Sequence, residues 1–205
     1  MSESSRRSIF KDIAGGDTGA LDRAAQLVRG PRISPPQDDY AAFARMRARA
    51  ADGGEVFFNS APAHMGVVVR VLLEAAVEVV EILTGSLDAM AYGSDMVAQE
   101  AVNFLKRGQG RIKILSEVEI EAELNPMLRA IKNANLIERV ELWSVPLYVQ
   151  KQYTCHFAVV DGRSFRFQAR RDRFEAIVKF GDRTIGSALR QNFAAIEAVS
   201  VRQGL

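Results

Sequence analysis

Apolar positions recur along the chain with two periods, and each change of period marks a new element. Leu21, Ala24, Ala25 and Val28 fall on one face of a helix from about Gly19 to Val28, opened by Asp17-Thr18 and ended by Gly30-Pro31. Pro35-Pro36 predicts an extended connection. Asp38-Asp39 opens a second helix to about Ala51, whose acidic start and basic end (Arg45, Arg47, Arg49) complement the helix dipole, and Asp52-Gly53-Gly54 stops it. Val56-Phe57-Phe58 reads as a short strand. Asn59-Ser60 with Pro62 starts a helix that places His64, Val68, Val71, Leu72 and Ala75 on one side. Val77 to Leu83 turns β-branched and predicts a strand closing in Thr84-Gly85-Ser86. A helix from about Ser94 to Lys106 and an alternating strand from Arg111 to Leu115 follow. The acidic run Glu117, Glu119, Glu121, Glu123 is expected to enter a helix to about Ala134 as its solvated start. Glu138 to Trp143, Tyr153 to Val160, Phe165 to Phe167 and Glu175 to Phe180 read as strands. Asp182 caps a last helix carrying Ile185, Leu189, Phe193 and Ile196 at helical spacing.

Alternating strands and helices imply an α/β fold, a layered mixed or mainly parallel sheet flanked by helices. It spans residues 53–205. Residues 1–52 form an N-terminal helical extension that packs on the domain or on a partner chain, and residues 1 to about 16 are polar. The length of 205 residues suits one domain with such an extension. A formal net charge of +2 is too small by itself to imply a nucleic-acid partner. The single cysteine excludes an intramolecular disulfide framework and a multi-cysteine zinc site, and neither a metal nor a cofactor is expected. No apolar run follows Arg6-Arg7, so the start does not read as a signal peptide. The most apolar window, Gly66 to Leu83, carries Arg70, Glu74, Glu78 and Glu81 and is no membrane span. The expectation is a soluble cytoplasmic protein without a membrane partner.

Candidate chemistry concentrates between Thr154 and Arg173. This stretch holds one of the two histidines and the only cysteine. Strand alternation puts Thr154, His156 and Ala158 on one face and Cys155, Phe157 and Val159 on the other, with Arg166 expected opposite His156 on the next strand. A histidine between a hydroxyl and arginines suits an anion-binding role or that of a displaced nucleophile. The competing reading is a histidine hydrogen-bonded at the end of a sheet. Cys155 reads as a buried apolar residue. Asn59, Ser60 and His64 open a helix, and Thr84 and Ser86 close a strand. Both are places where α/β domains receive anions, and ordinary capping and turn chemistry is the alternative. If the strands are parallel, these turns and the His156 strand converge on one cleft. Arg163, Arg166, Arg170, Arg171 and Arg173 interleave with Phe165 and Phe167, as on a nucleic-acid surface or a charge-guarded hairpin edge. Glu78 and Glu81 fall on opposite faces of one strand and make no carboxylate pair.

Ile82-Leu83-Thr84-Gly85-Ser86, Gly110-Arg-Ile-Lys-Ile-Leu115, Val159-Val160-Asp161-Gly162 and Ala176 to Asp182 with Phe193 occur in an order that resembles one half of a phospholipase D-like domain, over about residues 55–200. That family's motif runs His, any residue, Lys, four residues, Asp. The resemblance implies a histidine that attacks phosphorus, a lysine that holds a phosphate oxygen, and two motifs that meet across a pseudo-twofold or dimer axis. Set in register at Val159-Val160-Asp161-Gly162, this chain has Thr154 at the nucleophile position, His156 at the lysine position and only Asp161 in agreement. The resemblance therefore implies a homodimer and a degenerate or strongly diverged member that binds a phosphate-containing ligand, nucleic acid or a protein partner. The alternatives are a phosphodiesterase or nuclease working as a dimer with His156, aided by Asp161, in its active site, and a structural module whose N-terminal helices recruit a partner.

Overall fold

The computed structural model describes residues 18–27, 39–50, 54–59 and 61–205. Ser60, the first 16 residues, Asp38 and the expected breaks at Gly30-Pro31, Pro35-Pro36 and Asp52-Gly53 lie outside them. Among the described residues the strands are β1 (Phe57–Asn59), β2 (Val79–Thr84), β3 (Arg111–Ser116), β4 (Val140–Ser144), β5 (His156–Val160), β6 (Ser164–Gln168), β7 (Ala176–Lys179) and β8 (Val201–Arg202). They form one sheet in the order β1-β7-β6-β5-β2-β3-β4-β8. The sheet is mixed. β2, β3 and β4 run parallel, joined by helical crossovers. The remaining borders are antiparallel, including the tight β5–β6 hairpin.

The helices are α1 (Thr18–Leu27), α2 (Tyr40–Arg49), α3 (Pro62–Ala75), α4 (Ala89–Tyr92), α5 (Asp95–Lys106), α6 (Pro126–Asn133), α7 (Leu147–Gln150) and α8 (Arg183–Glu197). Strand alternation sorts the core into two layers. Phe57, Val80, Ile82, Ile112, Ile114, Leu142, Ala158 and Val178 meet α2, α3, α5 and α6 on one face. Leu83, Leu115, Phe157, Val159, Phe165, Phe167 and Ile177 meet α1 and α8 on the other. Each fully buried Phe of that second layer contributes about 2–3 kcal/mol through burial. Ser94 caps α5 by accepting from Val97 N (3.3 Å), and Asp182 caps α8 by accepting from Ile185 N (3.0 Å). Among the described residues no helix is long and apolar enough to cross a membrane.

Several elements differ from their sequence expectation. The acidic run from Glu117 to Glu123 is a loop, because α6 starts only at Pro126, with Asn125 capping it through Leu128 N (3.0 Å). Residues 137–139 form a 3-10 turn, so β4 begins at Val140 and not at Glu138. β5 starts at His156, which leaves Thr154 exposed and outside the strand. Asn59 does not cap α3. Its N-cap is Ala61, with no side-chain hydrogen bond. The short α4, α7 and β8 carry too few residues to show a period.

Candidate functional site

The register across the sheet builds the site. Phe57, Val178, Arg166, Ala158, Ile82, Ile114 and Leu142 stand side by side in one transverse row. Six of the seven belong to the apolar core, and Arg166 is the single charge among them. Two residues toward the carboxyl ends of β2, β3 and β4 lies a second row on the same face. Extending the β6/β7 and β2/β5 borders by one residue, it reads Asn59, Ala176, Gln168, His156, Thr84, Ser116, Ser144. This row is polar at every position but Ala176. A polar row at the carboxyl edge of a parallel segment, over a buried cation, is where α/β sheets receive ligands.

A cavity of about 380 Å³ opens above these rows. Thr84, Gly85 and Ser86 form its floor, Ala91 and Tyr92 of α4 one wall, and Arg171 to Phe174 the opposite wall. Glu117, His156, Arg166 and Gln168 also line it. His156 reaches the floor because position 85 lacks a side chain. A Cβ on Gly85 would lie 3.1 Å from His156 Cε1 and 3.5 Å from Nε2. The turn itself is tightly held. Thr84 Oγ1 donates to Ser86 O, Ser116 Oγ donates to Gly85 O (3.3 Å) and Glu117 N donates to Thr84 O (3.1 Å).

Arg166 is 4% exposed and, among the described residues, has no ion pair with a carboxylate. Its Nη1 donates to Gln168 Oε1 (3.1 Å) and its Nη2 to Phe174 O (3.4 Å), while its Nε has no partner among the described residues. Burial lowers its pKa, against the opposing influence of Tyr92 and Tyr40, yet a guanidinium retains its charge in a protein. Gln168 also fixes the next loop, donating from Nε2 to Arg170 O (3.2 Å) and Arg171 O (3.4 Å). Arg171 N donates to Thr154 O (3.1 Å).

Glu117 joins His156 and Arg171. Its Oε1 accepts from Arg171 Nη1 (2.6 Å) and lies 3.2 Å from His156 Nε2. Burial raises its pKa, but the hydrogen bonds from His156 and Arg171 outweigh that and hold it below the ordinary carboxylate value. By contrast Glu81, buried on the opposite face of β2, is pushed up to about 7 by burial, partly offset by Arg190 and Lys113.

Of the residues singled out in the sequence, Thr84, Ser86, His156, Arg166, Arg171 and Arg173 meet in the cavity. Arg166 stands opposite Ala158, and Gln168 takes the expected place opposite His156. Asn59 ends the polar row but does not line the cavity. It is fully buried, and among the described residues neither of its amide atoms has a hydrogen-bond partner. The His64 ring stacks on Tyr40, centroids 3.8 Å apart. Thr154 lies off the cavity. Asp161 follows Val160, and that far end of β5 lies about 13 Å from His156 by the strand rise. Its carboxylate accepts from the N–H groups of Val77, Glu78 and Val79, each at 2.9 Å. Arg163 is at that same far end, 3.9 Å from Asp161 Oδ2. Arg170 is engaged by Asp172 (2.7 Å) in solvent. The five arginines are therefore dispersed over two ends and the interior of the hairpin. Gln168 and Tyr92 were not singled out, and Glu117 was read only as part of the acidic run. Glu117 follows a strand, as Thr84-Gly85-Ser86 does, and that position was its one signal. Among the described residues no cluster of His, Cys, Asp and Glu has the spacing to hold a metal.

No protein-family model matches the chain, and no curated protein does. Solved structures do. Nuc from Salmonella typhimurium, a phospholipase D family member, superposes with a TM-score of 0.53 at 14% identity, over 75% of this chain and 100% of that one. TrmBL2, an archaeal chromatin protein with a novel mode of DNA binding, gives 0.49 at 15% identity, over 72% of this chain. The match spans about half, 54%, of the TrmBL2 chain. NucT from Helicobacter pylori gives 0.48 at 12% identity, over 74% of this chain and 100% of that one. The similarity to Nuc shows that the chain has a phospholipase D-like fold.

Proposed function

We propose that the chain binds a phosphate-type anion, carried by nucleic acid or another phosphate-containing ligand, in the cleft below Tyr92, and that it does so as a diverged phospholipase D-like domain. The observation that carries this reading is Arg166, a buried guanidinium without a carboxylate partner among the described residues, in an otherwise apolar row beside a cavity. A buried charge is costly unless something pairs with it, and a ligand anion would do so. His156 and Arg173 line the same cavity. Divergence is supported by Thr154, which occupies the nucleophile's position in the motif yet is exposed and outside the cavity. The exposed Leu147 and Tyr148 offer apolar surface to the homodimer expected of such a half-domain. Residues 1–52 are an extension to the domain of residues 53–205.

A second reading keeps the chemistry. The His156–Glu117 contact is the kind of histidine–carboxylate pair that orients a nucleophile or general base. One assay separates the two. Purified protein is incubated with single- and double-stranded oligonucleotides and with bis(p-nitrophenyl) phosphate, and both binding and cleavage are followed. Binding without cleavage is expected, weakened at least tenfold by Arg166→Met. Arg173→Ala should lower the salt slope of oligonucleotide binding by about one unit, and Arg163→Ala at the far end should leave it unchanged. Cleavage that His156→Ala abolishes would instead establish the second reading. No binding at low salt would remove the nucleic-acid version.

A further inference from the structure

Two donors from separate elements converge on one oxygen in this cavity, and that oxygen belongs to the protein. Resting on the anion-binding reading above, we propose that the Glu117 carboxylate is the resident occupant of the anion seat between His156 and Arg171, and that a phosphate-type ligand takes the seat by displacing it. Arg171 Nη1 at 2.6 Å and His156 Nε2 at 3.2 Å both address Glu117 Oε1. Convergence of a guanidinium and an imidazole on a single anionic oxygen is what a phosphate oxygen requires, and such charge-assisted bonds are among the stronger ones. Both donors line the cavity that also holds the unpaired Arg166. A ligand oxygen exchanged for Oε1 leaves Arg171 and His156 satisfied and brings a second oxygen within the reach of the cavity's other cations.

The local structure allows that exchange. The Glu117 backbone is anchored by its N–H on Thr84 O (3.1 Å) and by its carbonyl, which accepts from Gln150 Nε2 (2.8 Å). The side chain can therefore change rotamer while the end of β3 stays in place. The second oxygen, Oε2, lies 3.8 Å from where a Cβ on Gly85 would be, so position 85 presents no side chain to it. Glu117 then acts as a selecting residue. An anion must compete better than a fixed carboxylate, which favours phosphate-type groups over the carboxylates of metabolites and peptides.

Tungstate, a phosphate-like anion, tests this by titration calorimetry on the full chain. Glu117→Gln removes the charge at nearly constant volume and should bind tungstate about tenfold more tightly than the native protein, and Glu117→Ala at least as tightly. Binding that is unchanged or weaker in Glu117→Gln overturns the proposal and makes Glu117 a positioning residue for His156. If Arg166→Met loses tungstate while Glu117→Gln matches native, the anion-binding reading stands and this inference falls. If none of the proteins binds, both fall. The native protein supplies a check independent of variant folding. Saturation with tungstate should shift the Glu117 carboxylate ¹³C and His156 ring ¹⁵N resonances together. A His156 shift without a Glu117 shift counts against displacement.

Discussion

The two ends of the β5–β6 hairpin are both polar, and they differ in how their charges are satisfied. At the turn end, Asp161 takes three backbone N–H groups of the segment entering β2. Toward the open end, from the middle rung of the hairpin, Arg166 has one side-chain and one carbonyl acceptor, an Nε with no partner among the described residues, and a cavity that it lines. A charge whose partners are all internal holds the fold together. A buried charge that lacks a counter-charge and faces a cavity is costly to the fold and is available to a ligand. The difference separates Asp161, the one residue in agreement with the phospholipase D motif, from the residues with free capacity. Asp161→Ala should break the contrast most severely. It strands three donors and puts alanine at φ +51°, a left-handed backbone that aspartate and asparagine tolerate better. The expected loss is about 2–4 kcal/mol in urea unfolding, with tungstate affinity of the surviving folded protein unchanged. Asp161→Asn keeps the conformation and should lose less.

Arg166→Met is the converse test. Methionine fills the same volume within an apolar row, and removing an unpaired buried cation relieves its desolvation cost. Stability should hold or rise by up to about 2 kcal/mol while anion binding is lost. A large loss of stability would mean that the bonds to Gln168 and Phe174 matter more than the missing counter-charge, and the two ends of the hairpin would then be alike. The pairing of higher stability with lower binding distinguishes a ligand site from a structural one more sharply than either measurement alone.

The layers were legible in the sequence because each follows from periods within single segments. Ile82, Ile114 and Leu142 each stand between a charged residue and an apolar residue of the other layer, and Ile185, Leu189, Phe193 and Ile196 repeat at helical spacing. The site was legible only in part, because it is a row across seven strands and no single strand contains more than one of its members. His156 and Thr84 stood out by residue type and by the strand end each occupies. Gln168 did not, since its role depends on facing His156 and on the bond it accepts from Arg166. Glu117 was absorbed into an acidic run that resembled a helix start, and Pro126 moves that start nine residues downstream. The arginine cluster misled for the complementary reason. Proximity in sequence along a hairpin places residues at opposite ends and on opposite faces as readily as together.

Acid provides the gentlest probe of the open end. Glu117 is held below its ordinary value of 4.5 in the folded protein, so at acidic pH the unfolded chain binds the proton more readily than the folded one. Its contribution to stability is therefore fully present above about pH 4.5 and is lost as pH falls through the lower folded value. Asp182 and Glu74 are depressed too, and they titrate in the same acid region. Both remain in Glu117→Gln, so the difference between its stability curve and the native one isolates Glu117. Below pH 4.5 the native curve should fall more steeply than that of the variant. The extra loss should be no more than about 1 kcal/mol, because Arg171 is a third exposed and solvent screens the pair. Parallel curves would mean that Glu117 gains nothing from His156 and Arg171 on folding. A carboxylate held that loosely would offer a ligand little resistance, and Glu117→Gln would then leave anion affinity unchanged as well. The acid curve therefore also bounds how far displacement can raise selectivity.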